Sequence, residues 1–170
     1  MYAVNDKVMY GQSGVCRITD ICTKKFGKTA VEYYVLHPMY GEDTTIYCPV
    51  QNAHTPMRRL LEKEEVQALI REMPNVQTEW IENDAQRKEA QTKVLHDGDH
   101  RELMRMIKSL HIRRRDRLAA GKRFHQADER ALDEAENLLY QEFAQVLGLN
   151  LEEVLPLMKK SALQTAEAAT

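Results

Sequence analysis

The chain is poor in the residues that would place it in several large classes. Three cysteines among 170 residues, Cys16, Cys22 and Cys48, form no CxxC pair and leave an odd count. That excludes a disulfide framework and the paired-thiolate zinc sites, and reads as small apolar fillers of strands in a reduced compartment. No run approaches the ~18 consecutive apolar residues of a membrane span, and the opening MYAVNDKVMYG has no basic stretch followed by an apolar one. The expectation is a cytoplasmic protein without a membrane partner. Neither GxxxxGK[ST] nor GxGxxG occurs, so the common phosphate cradles are excluded. GQSGV at 11–15 lacks the residue that a nucleophile elbow places between its serine and second glycine, and reads as a tight turn. No nucleophile, base and orienting group stand together at plausible positions; an enzyme, a cofactor and a small-molecule substrate are not expected.

Charge is present but unevenly spread. Overall the net is -2, yet residues 1–70 balance to 0, residues 78–125 carry net +4 and residues 126–170 net -6. The densest basic run is IRRRDR at 112–117. Cations near a helix C-terminus are favoured by the helix dipole, and Arg113, Arg114 and Arg115 point in three directions around a helix, so at most one or two can meet a given phosphate. HDGDH at 96–100 gathers two histidines and two aspartates, but Gly98 interrupts the helix that would align His96 with His100. Asp97 and Asp99 are read as helix-end residues and no metal is expected.

The organisation changes once along the chain. Residues 6–11, 15–22, 31–37 and 44–50 are rich in β-branched and aromatic side chains and are separated by GQSG, KFGK and YGED. Ile46, Cys48 and Val50 alternate with Thr45, Tyr47 and Pro49, which gives that strand one buried and one wet face. Pro49 cannot donate to a ladder and favours an edge. From residue 61 the period is helical. LEKEEVQALIREM ends at Pro74; a helix opened by Gln77 or Thr78 is closed by Gly98; and Asp99 with Glu102 resembles a capping box for a helix with Leu103, Met106, Ile107 and Leu110 on one face. A further helix turns Ala131, Ala135, Leu138, Leu139 and Val146 inward, and a short one follows Asn150 with Leu151, Val154, Leu155 and Met158. The expected class is α+β: an N-terminal antiparallel SH3-like or Tudor-like β-barrel (1–58), a connecting helix and linker (59–76), an all-α helical bundle (77–160) and a disordered tail (161–170).

The lone tryptophan, Trp80 in TEWIENDAQRKEA, sits among charges. Counted along a helix, Trp80 shares a stripe with Asn83, Asp84, Arg87 and Gln91, which is polar. Two readings stand: a surface wedge or stacking platform with phosphate-binding neighbours, or a ring packed between domains.

MYAVNDKVMYGQSGVCRI, EYYVLHP, IYCPV, a lone Trp80, HDGDHRELMRMIKSL and DERALDEAENLLYQEFA follow one another in an order and spacing that resembles the CarD family of bacterial transcription regulators, also called CdnL, over about residues 1–148. The resemblance implies a Tudor-like first domain that binds the β subunit of RNA polymerase. It also implies a helical second domain that contacts promoter DNA in the minor groove at the upstream edge of the open bubble. By the same resemblance Trp80 is the wedge and Arg87 and Lys88 fall where members contact DNA backbone; from the basic run, Arg113 and Arg114 are the further candidates for phosphate contact. Lys24 matches a polymerase-contacting basic position, with Lys25 beside it, and Tyr47 and Pro49 lie on the matching strand. The chain departs from better-known members in following Trp80 with Ile81, Glu82, Asn83 and Asp84, in carrying Tyr47 where some have arginine, and in a Trp80-to-Gly98 spacing about one helical turn longer. Weak DNA binding in isolation, with polymerase supplying most of the affinity, is the expectation. The alternative is a protein–protein adaptor in which Trp80 is a buried interdomain residue with no DNA role.

Overall fold

The computed structural model describes residues 1–51 and 55–168, with side chains given as far as residue 160. It separates into two compact units, Met1–Leu60 and Leu61–Thr170. The first is a five-stranded antiparallel sheet built from β1 (Lys7–Tyr10), β2 (Val15–Phe26), β3 (Thr29–Pro38), β4 (Ile46–Pro49) and β5 (Met57–Arg59), in the order β4-β3-β2-β1-β5. The β-barrel expectation is met only in part: β4 and β5 are the two ends of this ladder and pair with β3 and β1 alone, so the sheet does not close. Both end strands are short, and Pro49 ends β4 without an N–H to give.

Alternation decides which side of the sheet is dry. Val8, Cys16, Ile18, Tyr34, Leu36 and Cys48 form the buried cluster, with Ile46 and Val50 half-buried against it, so the in-out pattern expected for the fourth strand is observed. Burial pushes the Cys16 thiol up to about 11, which makes it an inert apolar filler. GQSG is a connector: Gly11–Ser13 form a single 3₁₀ turn and Gly14, at φ 76° and ψ -145°, takes a conformation that only glycine adopts cheaply. A register shift between Ile18 and Asp20 bends β2 where it pairs with β3.

The second unit holds α1 (Lys63–Glu72), α2 (Asp84–Asp97), α3 (His100–Ala119), α4 (Gln126–Leu147) and α5 (Leu151–Ala168). Helices α3, α4 and α5 pack on one another, α1 packs on α4, and α2 on both α3 and α4. Leu103, Ile107 and Leu110 of α3 are buried with Leu139, Tyr140 and Phe143 of α4 and with Met158 of α5. Gly98 closes α2 at φ 68° as expected, and the Asp99 side chain accepts the Glu102 N–H at 3.0 Å, which is one half of the expected capping box; the Glu102 carboxylate pairs with Arg105 instead. The tail expected at 161–170 lies, for the side chains of 161–168 and for residues 169 and 170, outside the described residues. Among the described residues no helix is long and apolar enough to cross a membrane.

Candidate functional site

The helix expected to carry Trp80 starts later than its sequence signals indicate. Neither Gln77 nor Thr78 opens it; Asn83 is the N-cap, its Oδ1 accepting the Gln86 N–H at 2.9 Å, and residues 76–82 are irregular backbone. Three carbonyls that a helix opened at Gln77 or Thr78 would use are taken by side chains, that of Glu79 by Ser109 and those of Ile81 and Glu82 by Arg87, and Lys108 fixes the segment just before them. Lys108 of α3, 3% exposed, donates its Nζ to the carbonyls of Met73 (3.2 Å), Pro74 (2.7 Å) and Val76 (2.9 Å). Its neighbour Ser109 donates to the Glu79 carbonyl at 2.8 Å. Burial lowers the Lys108 amine, but three carbonyl acceptors satisfy its three N–H groups.

Arg87, only 8% exposed, completes the frame from α2. Its Nε donates to Asp128 Oδ1 at 2.9 Å and its Nη2 to Asp128 Oδ2 at 3.0 Å. Nη2 also donates to Asp84 Oδ1 at 2.8 Å, while Nη1 donates to the carbonyls of Ile81 (3.0 Å) and Glu82 (3.4 Å). All five N–H groups of the guanidinium are thereby used. The Asp128 and Asp84 hydrogen bonds raise Arg87 further above its ordinary value, and Arg87 holds the Asp84 carboxyl below its own. Asp128, 2% exposed in the first turn of α4, also accepts from Gln91 Nε2 at 3.1 Å.

The indole rests against this frame. Trp80 is half-buried, with the Arg87 guanidinium 4.7 Å and the Arg113 guanidinium 5.2 Å from its ring centroid. Beside it opens a pocket of about 160 Å³ with Val94, Met106 and Leu110 in its wall. Ile81, next in the chain, is 37% exposed. The helical stripe expected from Trp80 through Gln91 is replaced by a tertiary contact: the indole meets Arg87 because the backbone folds back onto α2.

The cations named from sequence therefore differ in freedom. Arg87 is locked, and a phosphate contact does not fit its five satisfied donors. Lys88 is exposed on α2. Arg113 reaches Glu82 only at 3.8 Å and its buried Nε has no hydrogen-bond partner; Arg114 pairs with Glu129 at 3.4 Å. Trp80, Arg87 and Arg113 are brought together. Asp128, Lys108 and Ser109 were not foreseen: Asp128 lies 41 residues from Arg87, and nothing local marks the pairing.

The first unit carries a second surface. Pleat alternation and the pairs Cys22↔Tyr33, Tyr33↔Pro49 and Val35↔Tyr47 put Lys24, Phe26, Tyr33, Tyr47 and Pro49 on one face and Lys25 on the other. Lys24 Nζ sits 3.6 Å from the Tyr47 ring centroid, and Tyr33 meets Tyr47 and Phe26 edge-on, each at 6.4 Å. Tyr47 and Phe26 remain 47% and 59% exposed. Phe26 and Tyr33 were missed from sequence, although the i, i+2 spacing from Cys22 through Lys24 to Phe26 is the signal that finds them.

Residues 2–61, the span of the first unit, match the model of the CarD-like/TRCF RID domain, an RNA polymerase-interacting domain. No curated protein matches the chain.

Proposed function

We propose that this chain is a transcription regulator of the CarD-like kind, non-enzymatic, cytoplasmic and nucleoid-associated through polymerase, that its first unit docks on the polymerase β subunit, and that its second unit stabilises the promoter open complex by placing Trp80 in the minor groove at the upstream bubble edge. The observation that carries the reading is the state of Trp80: an indole held by a buried polar frame yet left partly open to solvent, with the loosely engaged Arg113 beside it. An apolar side chain that wedges between base steps needs a rigid mount and nearby phosphate partners. Arg113, Arg114 and Lys88 are assigned to phosphate, while Arg87 serves the mount. On the first unit, Lys24 and Tyr47 with Pro49 at the end of edge strand β4 form the polymerase surface, Lys25 flanks it, and β4 offers main chain for extension of a partner's sheet.

The test is the lifetime of polymerase–promoter open complexes with the wild-type chain and with Trp80→Ala. Loss of the aromatic contact is expected to remove about 1–3 kcal/mol of complex stabilisation while polymerase binding is kept. Unchanged lifetimes reject the wedge and leave the adaptor reading.

A further inference from the structure

We infer that Asp128 and Arg87 are positioning residues that set the indole of Trp80, acting as one buried unit across α4 and α2. The inference rests on the wedge reading for its consequence at DNA, but its structural content stands without it. The bidentate pair at 2.9 and 3.0 Å fixes the plane of the guanidinium, because a fork held at Nε and Nη2 by one carboxylate cannot swivel. That fixed plane does two further things. Its Nη1 grips the Ile81 and Glu82 carbonyls, the two residues directly after Trp80, and so sets where the backbone leaves the tryptophan. Its Cζ lies over the indole, 4.7 Å from the ring centroid, and gives the ring a cation to rest against. Before the tryptophan, Ser109 holds the Glu79 carbonyl. The ring is thus tethered on both sides in sequence and supported by a cation, and Gln91 on Asp128 Oδ1 keeps the carboxylate in place.

The same bonds explain why a cation on the DNA-facing helix is withheld from DNA. Using Arg87 for phosphate would strip Asp128, which is 2% exposed, of its counter-charge, a far costlier exchange than recruiting Arg113 from a 3.8 Å contact with an exposed glutamate. Within this site Arg87 therefore acts through Trp80.

The 170-residue chain carries one tryptophan, so its fluorescence reports this position alone. The decisive variant is Arg87→Met with Asp128→Leu, which removes the pair without stranding a charge and is expected to stay folded. The expected result is a red-shifted Trp80 emission, increased acrylamide quenching, lower anisotropy, and loss of most of the open-complex lifetime extension that the wild-type chain confers. In a Trp80→Ala background the double substitution is expected to change the lifetime no further, since both act through one ring. A folded double variant whose Trp80 emission, quenching and anisotropy match the wild type overturns the inference, as does a lifetime loss that adds to that of Trp80→Ala. If the double variant does not fold, Arg87→Lys, which keeps the charge but has no fork, is read on the same fluorescence scale with the same two outcomes. If Trp80→Ala alone leaves lifetimes unchanged, the wedge reading fails, and the positioning claim is then decided by fluorescence alone.

Discussion

The two candidate surfaces are built in opposite ways. On the first unit, Lys24, Phe26, Tyr33 and Tyr47 come together because strands alternate their side chains: the register alone puts them on one face, and they touch through ring edges and one cation over a ring. On the second unit, Trp80 is mounted by groups from three helices, with Lys108, Ser109, Arg87 and Asp128 consuming backbone carbonyls and one another's donors. The first is a surface that substitutions alter locally. The second is a framework in which removing a part leaves a buried group without a partner. The difference separates loss of function by contact from loss of function by collapse.

The largest expected break in this comparison is Arg87→Ala, which strands the buried Asp128 carboxylate and should cost about 3–5 kcal/mol of the second unit's stability in chemical denaturation. A smaller cost would mean that Asp128 finds water or another donor. Next is Lys108→Ala, which takes the donor from the Pro74 and Val76 carbonyls and leaves Met73 only the Val76 N–H, and should cost about 2–3 kcal/mol, with Trp80 emission moving red as the segment loosens. Tyr47→Ala should lower the melting temperature little, because the ring is half in solvent, while weakening polymerase binding by about 1–2 kcal/mol in a pull-down titration. A variant that unfolds instead would move this face into the framework class. Smallest is the acid response of the Asp84–Arg87 contact. The folded Asp84 carboxyl lies below its ordinary 3.8, so its contribution is present above that value and fades as pH falls through the lower folded one. Asp84→Asn should flatten that part of the acid stability curve and leave neutral pH almost untouched.

What could be read in advance followed the same divide. The strands were legible from period-2 runs and turn residues, and the α2–α3 boundary from Gly98 and Asp99, because each signal lies within a few residues of the structure it causes. The fifth strand is three residues long and left little trace. Closure of the sheet was over-read, since strand count does not say whether the end strands meet. At the candidate site the identity of Trp80 stood out by rarity, whereas its mount did not. Gln77 and Thr78 both suit a helix entrance, whereas the hydroxyl that takes the Glu79 carbonyl comes from Ser109, 30 residues away, and Arg87 folds back on the carbonyls of Ile81 and Glu82. The resemblance puts Arg87 at a backbone-contacting position, and its five internal bonds leave no mark in the sequence.

The central claim is that Trp80 acts on the DNA of a polymerase-bound promoter from a fixed position at the protein surface. Permanganate reactivity of thymines along the promoter, measured in complexes with the wild-type chain and with Trp80→Ala at saturating protein, tests it most directly. The account predicts a change confined to the upstream edge of the bubble with the wild-type chain and absent with Trp80→Ala, although both occupy polymerase equally. The same footprint from both proteins would contradict it.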